Sequence, residues 1–178
     1  MPRFAKEDWL ELGARLLGEE GPAALTIERM TAAAARTRGS FYHHFKGRDD
    51  FLAALMKWWA RQAVDAAAAR FAAVADDAGL RKLMRQETLH WDMKFERNVR
   101  QLGAGEPLVA DALRHIDEAR MAGMAMLIAK LHPEIEEPQM LAFVQYAAIV
   151  GGQWLLEPGD ARIGALKLLG DRLFGIAD

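Results

Sequence analysis

The 178-residue sequence contains no cysteine, only two tyrosines and six prolines, and almost no net charge, −2 at pH 7. The absence of cysteine excludes disulfides, cysteine-ligated zinc and thiol catalysis. The small net charge means that any positive surface must be local. Residues 1–6 lack the apolar core of a signal peptide, so a cytoplasmic location is predicted.

The longest stretch without a charged residue covers residues 138–156 and approaches the length of a membrane-spanning helix. It is interrupted by Gln139, Gln145, Gln153 and the pair Gly151-Gly152. These polar and small residues favour a helix that is buried or lies in an interface, so no membrane partner is predicted.

Helical spacing of the apolar residues predicts an all-α fold, because no stretch alternates apolar and polar residues long enough for a strand. Thr26 and Thr37 are suitable N-caps for the second and third helices. The predicted helices are one that ends before Gly21-Pro22, followed by helices over about residues 27–34, 38–45, 49–74, 80–103, 107–131, 137–156 and 160–175.

Positive charge is concentrated in residues 36–48, which contain four cations, two histidines, one tyrosine and no acid. Phe41 and Phe45 are four residues apart and therefore share one face of a helix. Donor side chains then occupy the remaining surface. A short helix of this kind, anchored by aromatic residues and preceded by another short helix, is typical of the helix-turn-helix that enters the major groove of DNA.

The segments 26–30 (TIERM) and 37–52 (TRGSFYHHFKGRDDFL) resemble the signature of the tetracycline-repressor (TetR) family of transcriptional regulators. The resemblance covers roughly the first 55 residues. It implies an all-helical homodimer with a DNA-binding domain, residues 1–50, and a domain for effector binding and dimerisation, residues 51–178. The implied partners are a double-stranded DNA operator and a small-molecule effector that releases the protein from it.

The resemblance also implies roles for individual residues. Thr37 starts the recognition helix, Thr26 caps the preceding helix, and base-facing and phosphate-facing residues follow. The residues expected to approach bases are Arg38, Gly39, Ser40 and His43, and those expected to approach phosphates are Tyr42, His44 and Arg48, with Thr26, Arg36 and Lys46 as further DNA contacts.

The turn departs from the family pattern, because Ala35-Arg36 stands where the family usually has Gly-Val. If residue 35 is left-handed, alanine costs roughly 1 kcal/mol relative to glycine. Arg36 cannot take the core position of a valine, so we expect it to point outward, within reach of a phosphate.

An effector pocket is predicted among the later helices, where methionine and aromatic residues are frequent. Alternatively, the methionine and aromatic residues of these helices, Trp154 among them, belong to the ordinary hydrophobic core. The candidate lining residues are Trp91, Phe95, His115, Met121 and Phe143. Asp111 and His115, four residues apart, are expected to form an electrostatic pair on the helix surface. The last two helices are expected to form the dimer interface.

Two other classes of function remain open. A helical-bundle enzyme or metal-binding protein would need several convergent carboxylates and histidines, and Glu87-x-x-His90 is the one such pair at the required spacing. A helix-turn-helix used only for protein interaction would not need the run of cations. No catalytic residue, metal or cofactor is predicted.

Overall fold

The computed structural model describes residues 4–89, 92–157, 160 and 162, and every regular element among them is helical. This confirms the all-α prediction. The helices are α1 (Lys6–Glu20), α2 (Ile27–Ala33), α3 (Arg38–Tyr42), α4 (Arg48–Ala60), α5 (Ala66–Ala72), α6 (Asp77–Leu89), α7 (Met93–Gly105), α8 (Pro107–Leu131) and α9 (Pro138–Leu155), with a 3₁₀ turn at Pro22–Ala24 and a π-helical stretch at Arg61–Asp65.

Three boundaries differ from the sequence prediction. The third helix ends at Tyr42, although the Phe45 amide still donates to the Phe41 carbonyl at 3.1 Å. The predicted fourth helix is divided by the π-helical stretch. The predicted fifth helix is two helices, and Asp92 lies between them outside helical geometry. Aspartate disfavours helix interiors and favours the position just before a helix start. The predicted last helix falls outside the described residues.

The chain divides into two compact units, residues 1–62 with 94–115 and residues 63–93 with 116–178. In the first unit the core lies among α1, α2, α3 and α4. Trp9, Phe41 and Phe51 are fully buried there. Gly13 allows α1 to pack closely on α4, since a Cβ at this position would overlap the Phe51 ring. The predicted functional division between residues 50 and 51 stays a prediction.

Helix α7 caps the C-terminal end of α1 within the first unit. The buried Asn98 side chain donates to the Leu17 carbonyl at 2.7 Å, and the Lys94 ammonium donates to the Glu19 carbonyl at 2.9 Å. The last carbonyls of a helix have no partner within the helix. The Lys94 bond satisfies the Glu19 carbonyl, and the Asn98 bond adds a second donor to the Leu17 carbonyl, which also accepts from the Gly21 amide at 3.1 Å. Residues distant in sequence therefore hold the end of α1.

In the second unit, α8 packs against α9 through a small apolar cluster that includes Ile128 and Leu141. The buried Tyr146 hydroxyl donates to the Asp117 carboxylate at 2.6 Å. Burial is the main cause that raises the pKa of Tyr146 to about 12. The phenol therefore remains a hydrogen-bond donor at any pH near neutrality. Within the described ranges, none of the helices has the length and hydropathy needed to cross a bilayer.

Candidate nucleic-acid interface

Helix α2 is held in place at its N-terminus. The Thr26 hydroxyl accepts a hydrogen bond from the Arg29 amide at 3.1 Å, which confirms Thr26 as its N-cap. The Arg29 side chain donates two hydrogen bonds to Glu20 of α1, at 2.9 and 2.5 Å. The hydrogen bond from Arg29 lowers the pKa of Glu20. A cap and a bidentate ion pair thus fix the position of α2 on α1.

The turn after α2 has the left-handed residue that the sequence suggested. Ala35 has φ 49°, the one positive φ among the described non-glycine residues. Its amide donates to the Ala32 carbonyl at 3.1 Å, and the Arg36 amide donates to the Thr31 carbonyl at 3.0 Å. These two bonds form a Schellman motif, in which glycine is the usual left-handed residue. The turn therefore has the ordinary geometry of a helix end, but the backbone of Ala35 is strained because alanine disfavours a positive φ.

Arg36 does not point freely outward as the sequence predicted. Its side chain is half-buried, and its guanidinium lies over the Phe4 ring at 5.6 Å from the centroid. An arginine can take this position because its stem and planar head group pack on an aromatic face. A phosphate contact by Arg36 stays a prediction.

Helix α3 has one aromatic face and one open face. The Thr37 hydroxyl accepts from the Ser40 amide at 3.3 Å, which confirms Thr37 as the N-cap. Phe41 is fully buried and packs edge-on against Trp9, with ring centroids 5.4 Å apart. Phe45 is also buried and packs on Phe51 at 5.2 Å. The two phenylalanines therefore orient the short helix on the core, as their spacing predicted.

The predicted DNA contacts lie close together along α3 and its flanking residues, but they differ in exposure. Those exposed to solvent are Thr26, Thr37, Arg38, Gly39, Tyr42, His43 and Lys46, and those half-buried are Arg36, Ser40, His44 and Arg48. The open face of α3 thus presents a guanidinium, a phenol, an imidazole and a position without a side chain.

Arg38 is the charged donor at the start of the open face. Its Nη1 lies 3.4 Å from Oε1 of Glu28 on α2. A hydrogen bond with the Tyr42 hydroxyl, and then the charge of Glu28, raise the pKa of Arg38. The guanidinium is therefore charged and lies at the surface beside the Glu28 carboxylate.

Two of the predicted phosphate contacts are also engaged within the protein. The Phe4 carbonyl lies 3.1 Å from His44 Nε2 and can only accept, so this nitrogen carries the proton. Arg48 Nε donates to the Leu25 carbonyl at 2.9 Å, and its Nη1 forms an ion pair with Glu106 at 2.5 Å. Sequence reasoning missed these roles because the partners of Arg48 are 23 and 58 residues away.

The predicted effector residues are distributed over both units. Phe95 is buried, with its ring 5.7 Å from that of Trp59, and His115 is exposed. Met121 is half-buried and Phe143 is exposed, in the second unit, so Phe143 is not core. Trp91 lies outside the described residues. A pocket formed by this set stays a prediction.

The expected pair between Asp111 and His115 is wrong. The Asp111 carboxylate forms its ion pair with Arg114, one residue closer along the helix. His115 Nδ1 instead donates to the Asp111 backbone carbonyl at 2.7 Å. Arginine gives the carboxylate a permanently charged partner, whereas histidine is mostly neutral at pH 7.

The alternative metal pair cannot be placed, because His90 and the Glu87 side chain lie outside what the structure describes. Among the side chains that it does describe, no three or more histidines, aspartates or glutamates are grouped as a metal ion would require.

A family profile described as bacterial regulatory proteins, tetR family, matches residues 10–55. The matched segment spans α1, α2, α3 and the first part of α4, which contain the capped helix pair and the open face of α3. Residues 10–55 of the chain are therefore similar to the N-terminal segment of the TetR family. The sequence resemblance in the first 55 residues is thereby confirmed.

Individual relatives agree with this assignment. The chain is 32% identical over 84 residues to the HTH-type transcriptional repressor AcnR of Corynebacterium glutamicum, a match that covers 47% of this chain and 40% of the relative. A transcriptional regulator from Saccharomonospora viridis in complex with choline has the same fold, with TM-score 0.79, 16% identity and coverage of 96% and 95% of the two chains. Reduced NemR of Escherichia coli gives TM-score 0.73, 17% identity and 97% coverage of both. The TetR fold therefore extends beyond the matched N-terminal segment.

The strain at Ala35 gives a prediction about stability. Ala35→Gly is expected to raise the free energy of unfolding by about 0.5–1 kcal/mol, because glycine adopts φ above zero without a Cβ clash and loses part of that gain to its greater unfolded entropy. Ala32→Gly is the matched control on the exposed side of α2, where the same change should lower stability by about the same amount. Urea denaturation followed by circular dichroism measures both. Destabilisation by both changes would contradict the account of the turn.

Proposed function

We propose that this chain is a ligand-responsive transcriptional regulator, a homodimeric repressor that binds a palindromic DNA operator and is released from it by a small effector. The open face of α3 is the observation that carries this proposal. It presents donors at an exposed surface of a helix whose other face is locked to the core. Major-groove recognition needs such a helix, with side chains that reach base edges and a fixed position on the protein.

Arg38 is proposed to read a guanine. A guanidinium can donate two parallel hydrogen bonds to O6 and N7 of guanine, which is worth about 1–3 kcal/mol of discrimination against another base. Its exposure and its place in the first turn of α3 suit that contact. Tyr42 and Lys46, also exposed, are proposed to contact phosphates on either side of the groove.

Gly39 supports a close approach of the backbone to DNA. The fold does not require glycine here, since an added Cβ would meet only the Thr37 hydroxyl at an ordinary 3.7 Å. Glycine in a helix costs roughly 0.5–1 kcal/mol relative to alanine. A residue that weakens the helix without a packing reason suggests that the space is needed by a partner.

Helix α9 supports dimerisation. Along one side it exposes a stripe of large apolar residues, which we call the α9 stripe. Its members are Met140, Phe143, Val144, Trp154 and Leu155, with Leu155 82% exposed. Since an α-helix turns about 100° per residue, these five positions fall within roughly 120° of one another and share one helix face. A continuous apolar face of this kind is typical of a protein interface, and a second copy of the chain is the occupant that a palindromic operator requires.

Effector binding is proposed from the fold. The Saccharomonospora viridis relative, whose fold this chain shares, is in complex with choline, so a chain with this fold can hold a small molecule. We propose that an effector binds within residues 51–178 and favours the state that does not bind DNA. Thermodynamic linkage requires that DNA then weakens effector binding by the same factor.

The proposed function is tested by selecting bound fragments from the source genome at about 50 and about 200 mM salt, a range over which phosphate contacts weaken steeply. The expected result is one palindromic sequence, with half-site centres about 34–36 Å apart, that survives the higher salt. Arg38→Ala should lose the preference for one base pair of each half-site and bind the selected sequence more weakly, with the preferences at the other positions kept. Failure of the wild-type protein to select any sequence would contradict the proposal.

The role of Gly39 is separated from folding by one substitution. Gly39→Ala should leave the protein as stable as wild type or stabilise it by about 0.5–1 kcal/mol, because alanine is the better helix former. It should weaken operator binding at least about tenfold, since a misplaced interface loses contacts worth about 1.4 kcal/mol or more. Gly105→Ala, at the exposed end of α7, is the matched control and should leave binding unchanged. Unchanged operator affinity in Gly39→Ala would remove Gly39 from the interface.

The α9 stripe gives a prediction about assembly. Phe143→Glu should convert the dimer to a monomer at micromolar concentration in analytical ultracentrifugation, because a charge buried in an apolar interface costs several kcal/mol. Leu108→Glu replaces another exposed apolar side chain, outside the stripe, and should leave the dimer intact. If the wild-type chain sediments as a monomer, the stripe is not the dimer interface.

A further inference from the structure

The ion pair between Glu28 and Arg38 joins the two helices of the helix-turn-helix at the exposed surface. The side chains are 67% and 62% exposed, and Oε1 of Glu28 lies 3.4 Å from Nη1 of Arg38. An exposed pair of this kind contributes little to folding, because solvent screens the charges and ordering two long side chains costs entropy. The effect of this ion pair on stability is therefore small. Because the pair includes Arg38, the residue proposed to read a base, it bears on DNA recognition instead.

The position of Glu28 in α2 brings its carboxylate within reach of α3. It is the second residue of α2, between the residue that follows the Thr26 cap and Arg29. Arg29 turns back to Glu20 on α1, whereas the Glu28 carboxylate lies beside Arg38 in the first turn of α3. The cap and the Arg29 pair fix the backbone of α2 and so keep Glu28 next to Arg38.

A neighbouring carboxylate changes what an arginine can do in a DNA groove. A guanidinium has five N–H donors in a rigid plane, of which guanine uses two. An arginine without an orienting partner can turn to a phosphate, which adds affinity for every sequence alike. A carboxylate that binds one edge of the guanidinium directs the opposite edge away from itself, and its negative charge repels phosphates.

We propose that Glu28 is a positioning residue that sets base specificity: its carboxylate holds the guanidinium of Arg38 toward a guanine and away from the phosphates. This inference rests on the proposed function as a DNA-binding regulator. It assigns to α2 a part in sequence discrimination without direct contact between Glu28 and the base that Arg38 reads.

The experiment uses the full chain and the palindromic site obtained by selection. Each base pair of one half-site is replaced in turn, with the other half-site kept intact, and dissociation constants are measured for wild type, Arg38→Ala, Glu28→Gln and the double variant. The position at which Arg38→Ala loses its preference identifies the base pair that Arg38 reads. Wild type should prefer guanine there by roughly 5- to 150-fold.

Glu28→Gln should reduce that preference at least about threefold and leave the preferences at other positions within about twofold. In the Arg38→Ala background, Glu28→Gln should have no effect at that position, since the orienting carboxylate then has nothing to orient. Glu19→Gln is the matched control, because Glu19 also forms an exposed ion pair, with Arg15, away from the proposed interface. It should change none of these preferences.

Three results would overturn the inference. Glu28→Gln could tighten binding to all sequences by a similar factor, which would mean that Glu28 only repels DNA. It could leave the guanine preference unchanged, or it could alter it equally in the presence and absence of Arg38. If wild type selects no sequence at all, the proposed function fails first and the role of Glu28 falls with it, so the two failures are distinguishable.

Discussion

The whole candidate interface depends on the burial of the aromatic face of α3. This helix has only five residues, too few to persist in water by its own hydrogen bonds. Phe41, locked edge-on against Trp9 and tilted against Phe51, supplies the missing stability. These buried rings set the position of each exposed donor on the other face. The geometry of the candidate interface therefore depends on the core beneath it.

Contacts around this core extend the same constraint outward. The Schellman turn at Ala35 sets the angle between α2 and α3, and the Arg29–Glu20 pair sets α2 on α1. Arg48 then binds the Leu25 carbonyl that precedes α2 and the Glu106 carboxylate that precedes α8. One guanidinium thus connects three segments of the first unit. The cations concentrated in residues 36–48 therefore fall into two groups. Some, such as Arg48, form contacts within the first unit, and others, such as Arg38, lie on the open face of α3.

Features encoded by neighbouring residues were predictable from the sequence. Both threonine caps, the left-handed residue 35 and the shared face of Phe41 and Phe45 follow from positions within five residues of each other. Features that depend on a residue far away in the sequence were not predictable from it. The sequence could not show that Arg36 would find the Phe4 ring or that Arg48 would find Glu106. Phe143 was ambiguous for a related reason: an apolar residue on a helix marks a buried face, but the sequence does not say whether the covering surface belongs to the same chain.

The bonds from α7 to the end of α1 have a consequence for protein engineering. Regulators are often recombined by cutting a chain between its DNA-binding and effector segments and transplanting one of them. Here Asn98 and Lys94, on the far side of such a cut, hold the last carbonyls of α1. A transplant that ends after α4 would lack both side-chain donors and uncover the surface that α7 protects. The Glu19 carbonyl would be left to solvent, and the Leu17 carbonyl would keep the bond from the Gly21 amide. A chimera that keeps residues 94–115 together with residues 1–62 would carry its own helix cap with it.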